Sequence, residues 1–139
     1  MNNIDEALRG YIDAVLWAET ETDPGSPDCG LSWEDRGYCR GDVDRQSVAG
    51  QKSQLEAFIA MAAGRGLFAA DTDWRQAGAD FYFVRQGHGT GFWARPEVYG
   101  AEAAESLTNL VEKCFSEIYV YLDEEHHLVI DGYMRNLEA

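Results

Sequence analysis

The sequence predicts an α+β domain with a mostly antiparallel four-stranded sheet covered by helices, and three observations predict it. Apolar residues recur at helical spacing in three stretches, and two runs of strand formers each straddle a turn. The length, 139 residues, fits one core. With 45% hydrophobic and 12% aromatic residues, the chain also has the apolar material to fill that core, which excludes wholesale disorder. Residues 1–139 are therefore read as a single domain with the order ααββαββ.

Asn3 followed by Glu6 has the pattern of a helix cap, and Ile4, Leu8, Tyr11, Ile12, Val15 and Leu16 then repeat on one helical face. From Glu19 to about Arg45 that periodicity vanishes, and Pro24, Gly25, Pro27, Gly30, Gly37 and Gly41 punctuate a long acidic loop, either functional or floppy. A second helix is expected from about Ser47 to Ala63, with Val48, Leu55, Phe58, Ile59 and Ala62 on one side and Gly64 as its stop. Asp80 to Arg85 is rich in strand formers, and Phe92-Trp93 resumes that character beyond Gly87-His88-Gly89-Thr90-Gly91, which predicts a glycine-rich β-hairpin. Pro96 breaks the chain before a third helix through Ala103, Leu107, Leu110, Val111 and Cys114. Ile118, Val120 and Leu122 alternate with Tyr119 and Tyr121, and Asp123 to His126 turn the chain into a second hairpin.

Charge narrows the function classes. Eleven Lys+Arg against 25 Asp+Glu leave a net charge of -14, which repels phosphate backbones and anionic lipid and disfavours general binding of double-stranded nucleic acid. The excess sits at both ends of the chain: residues 1–45 carry -7, 46–95 carry +1 and 96–139 carry -8. No run approaches the ~18 apolar residues of a membrane span, and no charged start precedes an apolar stretch, so neither a membrane nor export is expected. The odd count of cysteines, Cys29, Cys39 and Cys114, fits free thiols in a reducing cytoplasm.

Candidate chemistry concentrates between Phe81 and Arg95, where Tyr82, Arg85, His88, Trp93 and Arg95 crowd around glycines. Exposed His and Arg beside permissive glycines suit an anion, whereas the plainer reading gives the aromatics to the sheet core and the glycines to a turn. Gly87 to Gly91 lead into a strand and lack a Lys-Ser/Thr pair, so no nucleotide loop and no cofactor is expected there. His88 with Asp80 or Asp73 is a conceivable dyad, with Cys29, Cys39 or Cys114 as nucleophile, yet no spacing selects a catalytic set, and binding is preferred to catalysis. Metal is not expected either. His126 and His127 are adjacent and point apart in a strand, and Cys29 and Cys39 lack the close spacing of a zinc knuckle. The loop acids Asp23, Asp28, Glu34, Asp35, Asp42 and Asp44 do not follow the calcium-loop alternation.

The segment Asp80-Phe81-Tyr82-Phe83-Val84-Arg85-Gln86-Gly87-His88-Gly89-Thr90-Gly91-Phe92-Trp93-Ala94-Arg95 resembles a pattern of small bacteriophage and prophage proteins. That pattern runs aspartate, an aromatic pair, a hydrophobic residue, Thr-Arg, one residue, Gly-His-Gly, one residue, Gly-Phe-Trp and Asp-Arg. The likeness reaches Tyr11 to Trp17 with the acidic loop behind it, and Ile118-Tyr119-Val120, so it spans most of the chain. Val84 stands where threonine is usual, Ala94 where aspartate is usual, and the tail through Ala139 is longer. The resemblance implies a phage setting, in the cytoplasm of a host cell, and no particular reaction.

Two binding readings follow, with a hydrolase or metal enzyme centred on His88 or on Glu124 to His127 as a third class. In the leading one the chain is an acidic protein-interaction module whose carboxylates, such as Glu34, Asp35, Glu102 and Glu105, occupy a basic nucleic-acid-binding protein by mimicking phosphate charge. In the alternative, Arg85, His88 and Arg95, with Trp93 for stacking, hold an anion, a nucleotide or a single strand.

Overall fold

The computed structural model describes residues 3–22 and 24–135, and among these five helices precede one hairpin. They are α1 (Asn3–Ala18), α2 (Arg45–Gly64), α3 (Trp74–Arg85), the single turn α4 (Pro96–Tyr99), α5 (Ala101–Cys114), β1 (Tyr119–Leu122) and β2 (Leu128–Asp131). Short 3-10 turns occupy Arg40–Asp42 and Phe92–Ala94. The three expected helices and the second hairpin are present, α2 starting at Arg45 because the Asp44 carboxylate accepts from the Ser47 N–H at 3.1 Å. Asn3, the expected cap, lies in the helix itself.

The four-stranded sheet is absent among the described residues. Its place is taken by a two-stranded antiparallel sheet and a fourth long helix, because Asp80 to Arg85 is helical and Phe92-Trp93 lies in a 3-10 turn. The physical reason lies in what flanks the aromatic run. Upstream, Asp73 accepts from the Gln76 N–H at 3.2 Å and caps α3. Downstream, Gly87 has φ +69°, its N–H reaches the Val84 carbonyl, and the His88 N–H reaches the Phe83 carbonyl at 2.9 Å. That is a Schellman ending, for which glycine is the favoured residue. Between the caps Ala77, Gly78, Phe81, Tyr82 and Arg85 are buried at three- and four-residue spacing, a helical face.

That face packs on α1 with the two backbones in contact. A Cβ on Gly78 would stand 1.8 Å from the Ala7 carbonyl oxygen, and one on Gly10 would stand 1.9 Å from that of Arg75. Glycine at both positions therefore sets the helix separation. Around this crossing Phe58 stacks on Phe81 at 4.8 Å between ring centroids, and Phe115 meets Phe81 edge-on at 5.0 Å. One core draws in residues from α1, α2, α3, α5 and β2.

The hairpin pairs Tyr119 with Asp131 and Tyr121 with Val129. Its turn is an Asx turn: the Asp123 carboxylate accepts from the N–H groups of Glu125 and His127, and His126 takes φ +64°. The outer side of β2 is held by residues before and within α2, where the Asp44 N–H donates to the Leu128 carbonyl at 2.7 Å and the Ile130 N–H to the Ser47 hydroxyl at 3.0 Å. The acidic loop is organised around buried Trp33, with the Arg36 guanidinium 4.5 Å from its ring and paired to Glu21 and Asp28 at 3.3 Å each. Asp23 lies outside the described residues, as do residues 136–139 of the tail. Among the described residues, no helix is long and apolar enough to cross a membrane.

Candidate functional site

Helical geometry redistributes the residues that a hairpin would have gathered. Arg85, at the last turn of α3, points inward and is 4% exposed. Its five N–H groups go to the Ser116 carbonyl, the Tyr11 hydroxyl (3.4 Å), Gln51 Oε1 (3.1 Å), Gln54 Oε1 (2.6 Å) and the Tyr133 carbonyl (3.2 Å). No described carboxylate pairs with it, and burial pulls its pKa down from the ordinary arginine value. With every donor used, Arg85 ties α1, α2, α3 and the C-terminal segment together and has none left for a ligand. Tyr11, buried beside it, is pushed up to about 12 by that burial.

Arg95 lies on another face, where it holds the fully buried Asp80 carboxylate at 3.0 and 3.1 Å. Tyr99 donates to the same carboxylate at 2.7 Å and Gln76 at 3.0 Å. Burial raises the Asp80 pKa against the pull of Tyr99 and Arg95, and burial also raises that of Tyr99. The Asp80 carboxylate is thus committed to α4 and its flank, while Asp73 caps α3, so neither acid orients His88. Arg85, His88 and Arg95 do not converge.

His88 is exposed where α1 and α3 both end. Its Nε2 lies 3.3 Å from the Tyr82 hydroxyl, which donates to the Glu19 carboxylate, and its ring stands edge-on to Phe83 at 5.9 Å. Burial, followed by the Glu19 hydrogen bond, raises the Tyr82 pKa, so the phenol keeps its proton and serves as a donor rather than a base. Gln86 completes the junction. Its Nε2 donates to Glu19 at 3.2 Å and to the Ile118 carbonyl at 3.1 Å, while its Oε1 accepts from the Ile118 N–H at 2.6 Å.

Trp17 borders this junction. It is 64% exposed, and Phe83 meets it edge-on at 6.4 Å. On one side it faces a groove of about 430 Å³ floored by Gly10, Ala14 and Ala79, and on the other a groove of about 450 Å³ with Glu34, Tyr38 and an Asp13–Arg40 ion pair at 3.5 Å. A second exposed tryptophan, Trp93 at 49%, shares a groove of about 290 Å³ with Glu105, Pro96 and Thr108. Two predicted acids therefore each stand beside an exposed indole: Glu34 beside Trp17, and Glu105 beside Trp93. Glu34, Asp35, Glu102 and Glu105 are all exposed, and none of these carboxylates has a partner among the described residues. Glu34 and Glu105 line separate grooves.

Sequence reasoning gave no role to Glu19, Gln86 or Gln54, each of which acts through contacts with chain remote in sequence. The Gln76 and Asp80 pair, four apart, was the local sign that this segment is helical. At the second turn, His127 Nδ1 lies 3.7 Å from both Asp123 and Glu125, but no three ligating side chains converge among the described residues. Cys29, Cys39 and Cys114 are free, the first two exposed and the third buried. Comparison with known protein families, with curated sequences and with solved structures finds no match for this chain.

Proposed function

We propose that this protein is an acidic interaction module that engages a basic, nucleic-acid-binding protein and blocks it by charge mimicry. The observation that carries the reading is Trp17, left 64% exposed and braced by Phe83, beside a groove bearing the unpaired Glu34, where Asp13 is already paired to Arg40. Keeping a large indole in water is costly for a monomer, and exposed tryptophans are typical anchors of protein interfaces. An indole beside an unpaired carboxylate suits a lysine or arginine, whose cation stacks on the ring while the acid takes its hydrogen bonds. Trp93 beside Glu105 repeats the arrangement on α5. The likeness of the 80–95 segment to phage proteins gives this activity a phage setting, with a host protein in the cytoplasm as its target.

Capture on the immobilised protein from bacterial lysate at low and high salt supplies the partner, and the association rate with it supplies the test. Neutralising Glu34, Asp35, Glu102 and Glu105 together as Gln or Asn should slow association about tenfold and flatten its salt dependence. Trp17→Ala should instead speed dissociation. Unchanged rate and salt slope in the neutralised protein would end the mimicry reading. Loss of binding on His88→Ala alone would favour an anion site there.

A further inference from the structure

The hairpin offers a second kind of contact, made by backbone rather than side chains. The Asp123 N–H bonds the His127 carbonyl, so the ladder-bonded pairs of the hairpin are 119 with 131 and 121 with 129. It follows that the N–H and C=O groups of Val120 and Leu122 point away from β2. No hydrogen bond from any other described residue meets them, and none of the helices packs along β1. One position earlier the same edge is already filled: the Gln86 side-chain amide gives an N–H to the Ile118 carbonyl and takes the Ile118 N–H, as a neighbouring strand would. After β2 the chain runs back beside residues 114–116, the Arg135 N–H meeting the Cys114 carbonyl, so the described tail leaves on the β2 side and not along β1.

Open edges are normally guarded by lysine, proline or a bulge, and β1 has none of these. What it has is a face and a charge. Tyr119 and Tyr121 project to solvent at 68% and 49% exposure, and residues 117–131 contain Glu117, Asp123, Glu124, Glu125 and Asp131 with no lysine or arginine.

We propose that the outer edge of β1 receives an extended basic segment of a protein partner as an added strand, continuing the pairing that Gln86 begins at Ile118. The partner's backbone bonds Val120 and Leu122. Its alternate side chains, arginine or lysine, lie over Tyr119 and Tyr121 and reach the acids at either end of the strand. A second copy of this chain fits poorly, since antiparallel self-pairing about Val120 sets Glu117 against Asp123 and brings together two molecules of charge -14. The proposal deepens the reading above by stating how part of the basic partner is held, and it rests on that reading.

The test uses the full chain and a synthetic Arg-Val-Arg-Val-Arg peptide with blocked ends, followed by NMR and amide exchange. Binding should slow exchange at Val120 and Leu122 about tenfold or more, and a peptide N-methylated at alternate residues, equal in charge but short of donors, should bind about tenfold more weakly. Val120→Pro, which removes an N–H that the hairpin does not use, should weaken the unmethylated peptide to a similar degree. If the peptide binds beside Trp17 or α5 with unchanged exchange at Val120 and Leu122, the strand-addition proposal fails and the acidic-module reading stands. If neither peptide binds anywhere, both fail. Protection of β1 in the protein alone, rising with its concentration, would assign the edge to a second copy and overturn the proposal.

Discussion

Phe81-Tyr82-Phe83-Val84 and Tyr119-Val120-Tyr121-Leu122 draw on the same classes of residue, yet the first lies within α3 and the second is β1. The first run buries Phe81, Tyr82 and Val84, sits between a capping aspartate and a terminating glycine, and lies against α1 at glycine contact distance. The second keeps both tyrosines in water and turns Val120 and Leu122 inward, an alternation that only a strand can produce. Aromatic and β-branched residues favour strands by packing against a pleated surface, a preference worth about 1 kcal/mol across its whole range. A cap, a C-terminal glycine and a helical burial face together exceed it. The contrast also separates roles: the α3 run is structural, whereas the β1 run leaves its backbone and rings available to a partner.

The strongest way to break this contrast is Arg85→Ala, which strips hydrogen bonds from Tyr11, Gln51, Gln54, Ser116 and Tyr133 at once. A loss of about 3–5 kcal/mol is expected in chemical denaturation, enough to unfold many domains of this size. The hairpin change Tyr121→Ser, by comparison, should cost no more than about 0.5 kcal/mol. Next comes Gly78→Ala. Its methyl group meets the Ala7 carbonyl, so α1 and α3 must separate, at about 3 kcal/mol, and thermal unfolding should read the loss.

A third effect depends on pH. Tyr11 titrates near 10 when unfolded and at about 12 in the fold, so the folded state holds the proton more tightly. Its contribution is complete below pH 10 and is lost as pH rises through about 12, a change of about 2–3 kcal/mol. Phenolate absorbance and helical ellipticity followed together should show this tyrosine ionising as the α3 packing gives way, and Tyr11→Phe should lower the late component by one tyrosine, Tyr82 and Tyr99 supplying the rest. The smallest effect belongs to the cap. Asp73→Ala leaves the Gln76 N–H without its acceptor and should cost about 1 kcal/mol, with faster amide exchange confined to the first turn of α3.

The local parts of the fold were legible in the residues. The spacing of Tyr11, Ile12 and Val15, of Leu55, Phe58 and Ala62, and of Leu107, Leu110 and Val111 marks a buried stripe on each of three helices, and the alternation from Ile118 to Leu122 marks a strand. The acids Glu34, Asp35, Glu102 and Glu105 were legible as solvated, because so many carboxylates in one small chain have to face water. At Asp80 to Arg85 the same local rules point the wrong way when only those residues are considered. Including Asp73, Gln76 and Gly87 restores the helix, so that information was present but spread over more residues than the aromatic run.

What no local pattern contains is the destination of the charged and polar side chains. Arg85 and Arg95 are ten residues apart in a segment of nearly neutral charge, and nothing in one dimension distinguishes them. Folding gives one of them five neutral acceptors drawn from α1, α2 and the C-terminal segment, and gives the other the carboxylate of Asp80. In the same way the Gln86 amide becomes a substitute strand only because α3 ends beside Ile118, 32 residues away. Helix and strand periodicity are set by the chain's own repeat, so sequence determines them. Hydrogen-bond partners for a buried charge, and the edge left without any, depend on which elements come together in space, and that is decided by packing of the whole core.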